Sequence, residues 1–233
     1  MIRKGMKAAE MYRVEDKFSC DRMSMYLLES RISSVLKPDG NSDSLDGYGI
    51  FSVYFDDLYD TSLQDTIDGN PVRRKYRIRI YNNSFETIKL EIKEKDRNRV
   101  LKKSKNISYE QMQMLLKGEC IEDDCSFDDA AALFNLAIKE KGLRPKIIVA
   151  YERKAYVFEA GNVRITFDRN IRATAKIENF GKPGAYYEKL KEYGSVLEVK
   201  YDEFLPGFIA QLLELGNMQQ TSYSKYKLCR EMC

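Results

Sequence analysis

Alternation with a period of two, sustained in segment after segment, most constrains what this chain can fold into, because successive side chains of a strand point to opposite faces of a sheet. Between Arg73 and Tyr81, Lys75, Arg77 and Arg79 share one face while Tyr76, Ile78 and Ile80 share the other. Lys89, Glu91 and Lys93 oppose Ile88, Leu90 and Ile92, and Arg13, Glu15 and Lys17 oppose Tyr12, Val14 and Phe18. Later, Arg164, Thr166 and Asp168 oppose Val163, Ile165 and Phe167, and Glu198 and Lys200 oppose Leu197, Val199 and Tyr201. A single strand of this kind is an ordinary half-buried strand with a wet polar face. The set is different. With Lys103, Lys105 and Arg153 added, the polar positions hold twelve cations against four carboxylates (Glu15, Glu91, Asp168, Glu198), a surplus of eight in a chain whose net charge is +3.

A solvated face gains nothing from such segregation, and like charges on neighbouring strands repel. A bound polyanion would offset that repulsion. If the strands close with this face inward, the lumen is cationic and its low-dielectric walls focus the field. Arginine forks and lysine point charges match the oxygens of a phosphate chain. Carboxylates set among them would be hard donors for Mg²⁺ or Mn²⁺ bridging phosphate oxygens.

Composition removes many rivals. The 233 residues include no histidine, which excludes Ser-His-Asp and Cys-His catalysis and any His-ligated metal. The five cysteines, Cys20, Cys120, Cys125, Cys229 and Cys233, lack CxxC spacing and read as reduced, scattered thiols. No apolar run approaches the roughly 18–20 residues of a membrane span. Residues 1–10 form an extension without the apolar core of a secretory signal, so the expected location is cytoplasmic. The modest net charge, and the lack of an RRM-type aromatic pair or glycine-rich loop beside the Arg77–Tyr81 strand, argue against nucleic acid as partner.

The pattern predicts strands at Tyr12–Phe18, Ile50–Asp56, Arg73–Tyr81, Glu86–Lys95, Val100–Lys105, Ile147–Phe158, Val163–Arg169 and Val196–Asp202. Helices are predicted at Arg22–Leu36 behind an Asp21 cap, from a Ser108-x-x-Gln111 capping box to Lys117, at Phe127–Lys141 stopped by Gly142 and Pro145, and at Phe208–Leu215. Lys37–Gly49 reads as a loop, and the tail from Thr221 carries a Ser/Lys/Tyr cluster. No repeat or linker divides the chain, so residues 11–230 are expected to form one domain.

Several short motifs recur in a fixed order: Glu15-Asp16-Lys17, Tyr54-Phe55-Asp56, Asp68-Gly69 ahead of Arg74–Tyr81, Leu90–Lys93, Tyr151-Glu152-Arg153, Leu197–Lys200 and Ser224-Lys225-Tyr226. Together they resemble the VTC domain, the polyphosphate polymerase domain of the vacuolar transporter chaperone family and its stand-alone bacterial relatives, within the triphosphate tunnel metalloenzyme (CYTH-like) superfamily. The resemblance implies an α+β fold, a closed eight-stranded antiparallel β-barrel with a cationic lumen and helices packed outside. It implies that Arg77, Arg79, Lys93 and Arg153 act on the transferring phosphoryl group. Lys17, Lys75, Lys89, Lys103, Lys105, Tyr151, Lys200, Ser224 and Lys225 would bind phosphate, with Lys75 and Lys89 included on face alternation. Glu198, helped by Glu15 or Glu91, would hold Mn²⁺ or Mg²⁺. Two positions depart from the family pattern: Ser222 stands where the polymerase has a further lysine, and Lys105 where an arginine is usual.

The expected partners are therefore ATP or another triphosphate and polyphosphate or pyrophosphate, with no membrane segment in this chain. Three function classes stay open. An ATP-dependent polyphosphate polymerase comes first, a metal-dependent triphosphatase second, and a non-catalytic polyphosphate or nucleotide binding module third.

Overall fold

The computed structural model describes residues 14–40, 47–97, 99–123, 129–190, 195–214, 220 and 223–233. The predicted strand start at Tyr12 and Arg13, Cys125, the predicted helix start at Phe127 and the variant position Ser222 lie outside these residues. In chain order the elements are β1 (Val14–Ser19), α1 (Arg22–Ser33), β2 (Lys37–Pro38), β3 (Tyr48–Asp56), α2 (Thr61–Ile67), β4 (Val72–Tyr81), β5 (Ser84–Asp96) and β6 (Arg99–Asn106). There follow α3 (Tyr109–Lys117), α4 (Ala130–Lys141), β7 (Arg144–Phe158), β8 (Val163–Thr174), β9 (Glu188–Lys189), β10 (Val196–Tyr201), α5 (Gly207–Leu213) and α6 (Lys225–Met232).

Eight long strands form one antiparallel sheet in the order β1-β10-β8-β7-β3-β4-β5-β6, with β2 on β7 and β9 on β8. The sheet curls until its two end strands, β1 and β6, come together. No backbone ladder joins these two strands among the described residues. An ion pair crosses the seam instead, Lys93 Nζ on β5 donating to both Glu15 oxygens on β1 at 2.9 and 2.7 Å.

Local chemistry sets the element ends. Asp21 Oδ1 accepts from the backbone N–H groups of Met23 and Ser24, opening α1. Ser108 and Gln111 make both bonds of a capping box on α3. Asn82 and Asn83 both adopt positive φ, the geometry a two-residue hairpin needs between β4 and β5. Pro145, read from sequence as a helix stop, lies inside the start of β7, where it pairs with Phe55 of β3. The segment Lys37–Gly49 is shorter as a loop than expected, because β2 and the first two residues of β3, Tyr48 and Gly49, fall within it.

The outward faces of the strands carry the apolar residues that alternation predicts, and helices cover them. Ile78, Ile80, Leu90 and Ile92 pack against Met112 and Leu115 of α3 and Phe134 and Ile138 of α4. Ile165, Phe167, Leu197 and Val199 pack against Met25, Leu28 and Ile32 of α1 and Ile209 of α5. A third cluster lies on the inner face. There Ile50, Tyr54, Val149 and Tyr151 meet Tyr226 and Cys229 of α6. Asn170 in the left-handed region coincides with a register shift between β7 and β8. Such a bulge changes which residues face inward, so the inner face of β8 switches from Arg164, Thr166 and Asp168 to Ile171 and Ala173. One side of the interior is thus charged and the other apolar, closed by α6. Among the described residues no helix is long and apolar enough to cross a membrane. Cys120, Cys229 and Cys233 are free thiols.

Candidate functional site

The charged half of the lumen encloses a cavity of about 730 Å³. Its wall carries twelve cations against three carboxylates, Glu15, Asp16 and Glu198. Strand alternation places most of them. On β4, Lys75, Arg77 and Arg79 point inward, facing Lys93, Glu91 and Lys89 of β5 across the ladder. On the other side Arg77 and Arg79 neighbour Tyr54 and Ser52 of β3. β7 contributes Tyr151 and Arg153, β10 Glu198 and Lys200, and β1 Glu15 and Lys17.

The guanidinium groups of Arg77, Arg79 and Arg153 are each held by a buried acid or a tyrosine. Arg77 Nε donates to Glu91 at 2.7 Å and its Nη1 to Tyr54 Oη at 3.1 Å. Arg79 Nη1 lies 3.6 Å from the same Glu91, and its Nη2 donates to Tyr151 Oη at 3.4 Å. Arg153 forms a two-pronged pair with Asp168, its ladder partner, at 2.6 and 2.7 Å. Lys225 completes that cluster at 2.6 Å from Asp168. Forks fixed in this way present their remaining N–H groups to the lumen without reorganisation, which is what transition-state charge stabilisation requires.

Burial dominates the protonation chemistry, and the neighbours decide its outcome. Burial alone would raise Glu15 and Glu91. Lys93, Lys200 and Lys17 around the first, and Arg77, Arg79 and Lys102 around the second, hold both well below the usual carboxylate range. Desolvation pushes the lysines down: Lys17 to about 8 despite Glu15, and Lys75 to about 7, where Lys17, Arg73, Arg77 and Lys95 add to the effect of burial. Lys93 and Lys200 are lowered by the same cause, partly offset by Glu15. Lys225 is the exception, since Asp168 outweighs its burial and raises it. An anion entering this lumen would meet lysines that are short of negative charge.

The structure brings together Lys17, Lys75, Arg77, Arg79, Lys93, Tyr151, Arg153, Lys200, Ser224, Lys225, Glu15 and Glu198 along one cavity wall. It does not bring in the other four. Lys103 lies opposite Ile92 in the β5–β6 ladder and so faces outward, and Lys105, opposite Leu90, pairs outside the barrel with Asp129 at 3.0 Å. The residue that does face inward is Lys102, opposite Lys93, with its Nζ donating to Glu91 at 3.0 Å. Lys89 shares the inner face but lies beyond the cavity, 5.7 Å over the ring of Tyr81. Glu91 is 1% exposed and, unlike Glu15, does not line the cavity; it lies behind the wall as a counter-ion to Arg77, Arg79 and Lys102. Asp168, which reads from sequence as a turn residue at a strand end, is mid-strand and fully buried between Arg153 and Lys225. Sequence reading also passed over Arg73 and Lys95, and quoted Tyr54 in a motif without giving it a role; all three line the same cavity. Arg73 and Lys95 are opposite each other in the β4–β5 ladder, and extending the alternation by one step on each strand finds both.

No cluster of three or more acidic, Cys or His side chains gathers among the described residues, so the trio Glu198, Glu15 and Glu91 does not form one donor set. Glu15 and Glu198, on neighbouring strands, do share a neighbour: Lys200 Nζ is 3.5 Å from the first and 3.2 Å from the second. Two carboxylates with hard oxygens fit Mg²⁺ or Mn²⁺, which keeps water ligands and fills its shell with phosphate oxygens.

Comparison with known proteins places this geometry. A candidate adenylyl cyclase from Hippeastrum, described as having a dominant triphosphatase activity, has a TM-score of 0.53 at 14% identity, with 95% of each chain covered. A candidate adenylate cyclase from Bacillus halodurans has a TM-score of 0.51 at 13% identity, covering 82% of this chain and 80% of its own. At these identities the likeness is one of fold. No curated protein matches. The VTC domain profile matches residues 12–233, from the first strand to the last residue of the chain. This chain belongs to the VTC domain family.

Proposed function

We propose that the chain is a polyphosphate polymerase, moving the γ-phosphoryl group of ATP onto a growing polyphosphate chain in a divalent-metal-dependent reaction. The observation that carries the reading is the length of the cation track. From Arg73 through Lys75 and Arg77 to Arg79, inward cations occupy every second position of β4, a run of about 20 Å at strand spacing. The track is longer than three linked phosphates require, and leaves room for a donor and for the end of an acceptor chain.

In this mechanism Arg77, Arg79, Lys93 and Arg153 neutralise the phosphoryl oxygens, with Tyr54 and Tyr151 keeping the forks in place. Lys17, Lys200, Lys102 and Lys225 hold the flanking phosphates. Glu15 and Glu198 would hold the metal ion, which when bound supplies further charge neutralisation at bridging phosphate oxygens. The nucleophile is a terminal phosphate oxygen of the acceptor. With a last pKa of about 6, it is largely ionised near neutral pH and needs no general base. That suits a chain without histidine.

Triphosphate hydrolysis is the second reading, favoured by the likeness to the Hippeastrum protein, because the same clamp would serve a water nucleophile. Incubation with ATP, Mn²⁺ and a pyrophosphate primer separates the two. Long chains with matching ADP are expected. Orthophosphate without chains would assign hydrolysis, and bound triphosphate without turnover would leave a binding module. Glu198→Gln is expected to abolish metal-dependent turnover while leaving thermal unfolding close to wild type; near-normal activity would remove Glu198 from the metal pair.

A further inference from the structure

We propose that the nucleoside of the bound triphosphate lies outside the barrel, in a vestibule at the β1–β6 seam, and that Gln220 selects adenine as its base. This inference deepens the reading of the lumen as an ATP site and rests on it.

Strand alternation divides the cavity wall in two. Its strand-borne cations all have inward parity, Lys17 on β1 and Lys102 on β6 among them. Val14 and Asp16 on β1 and Leu101 on β6 have the opposite parity, yet they line the same cavity. A side chain on the outer face reaches an inner cavity only where the sheet has an edge for that cavity to turn around. Both strands are at such an edge, so the cavity runs out through the seam. Gln220 stands on the same edge, bridged to Phe18 of β1. The vestibule adjoins the phosphate track, since Leu101 precedes Lys102 and Val100 lies opposite Lys95.

The vestibule suits a base and not a phosphate chain. Among the described residues no cation lines this outer part, and the charge it holds is the Asp16 carboxylate. A phosphate there would meet repulsion and no compensating cation. Val14, 37% exposed, and Leu101 offer apolar surface to flat ring faces, with the inward Val100 at the threshold. Apolar walls with one or two fixed polar groups are the usual makeup of a site for a small neutral moiety.

Gln220 is the fixed polar group. Its Nε2 donates to Asp16 Oδ1 at 2.7 Å, and Asp16 Oδ2 accepts from Tyr201 Oη at 3.1 Å. A carboxylate only accepts, so this contact settles which end of the amide is nitrogen. Nε2 keeps a second N–H, and Oε1 has no protein partner among the described residues. That open edge, one donor beside one acceptor, matches adenine, whose N7 accepts and whose 6-amino group donates. Guanine would set its O6 acceptor against Oε1, two acceptors facing each other.

The test is calorimetric titration of the full chain with Mg²⁺ and three probes. Two are the β,γ-imido analogues of ATP and GTP, which cannot transfer the γ-phosphoryl group; the third is inorganic tripolyphosphate. Wild type is expected to bind the adenosine analogue about tenfold more tightly than the guanosine one, within the range of a single bidentate amide contact. Gln220→Leu should remove that preference and leave tripolyphosphate affinity unchanged. Leu101→Ala should weaken both nucleotide analogues by about threefold to tenfold, the worth of the apolar contact removed, again without effect on tripolyphosphate. Unfolding temperatures near wild type show that both variants are folded, and the wild-type comparison needs no variant. Equal affinity for the two analogues, a preference that survives Gln220→Leu, or nucleotide binding unmoved by Leu101→Ala would overturn the proposal and leave the proposed function intact. Tripolyphosphate binding without nucleotide binding would overturn the proposal together with ATP as the donor. No binding of any probe would remove the triphosphate site itself.

Discussion

At the scale of single residues, the lumen is an exercise in balancing buried charge. Asp168 is fully buried and satisfied by Arg153 and Lys225. Burial opposes its ionised form, but these two cations outweigh burial and hold it below the usual carboxylate range. Because the folded value lies below the unfolded one, near about 4, the pair contributes its full stability above about pH 5. That contribution is lost as pH falls through 4 towards the folded value. Asp168→Asn strands two buried cations and is expected to cost about 3–5 kcal/mol at pH 7. In urea titrations the gap between wild type and variant should shrink between pH 5 and pH 3; a constant gap would contradict this account. Little of the arrangement is legible in sequence. Arg153 and Asp168 are 15 residues apart, and Lys225 reaches them only because α6 folds back into the barrel.

At the scale of elements, alternation alone was enough to orient β4, β5, β8 up to its bulge, and β10. It failed on β6, where Lys102 and Lys103 are adjacent and a run of like residues carries no parity. Turn length fixes what alternation cannot: Asp96 pairs with Arg99, so a two-residue turn sets Lys93 opposite Lys102. Lys102→Ala should weaken tripolyphosphate binding about tenfold, the value of one charge-assisted hydrogen bond, and reduce its salt dependence. Lys103→Ala should change neither, and calorimetric titrations at two salt concentrations compare them. Equal losses would mean that the β6 register is wrong. Helix α2 and the Asn170 bulge also escaped sequence reading. The first is a seven-residue helix, anchored where Asp56 accepts from the backbone N–H groups of Ser62 and Leu63. The second turns on a single non-glycine residue at positive φ, a conformation that asparagine tolerates.

For the whole molecule, the lumen holds lysines whose charge the fold suppresses: Lys17 near 8, Lys75 near 7, and Lys93 and Lys200 lowered in the same direction. A polyanion restores the conditions under which they keep their protons. Binding of tripolyphosphate at pH 8 should therefore take up about one proton or more per molecule, and affinity should fall as pH rises from 7 to 9. Calorimetry in buffers of different ionisation enthalpy measures the uptake directly. Binding enthalpies that do not depend on the buffer would show that the lysines are already charged in the free protein.

The seam between β1 and β6 has a consequence for the kind of polymer such a protein can handle. A ring closed by backbone all the way round can only be threaded, so its guest must offer an end. Among the described residues no ladder closes this ring at the seam, which a clasp, Lys93 on Glu15, spans instead, and salt or a competing anion loosens a clasp more readily than a ladder. A long chain with both ends occupied elsewhere could be laid in sideways and released the same way, like a cable in a split grommet.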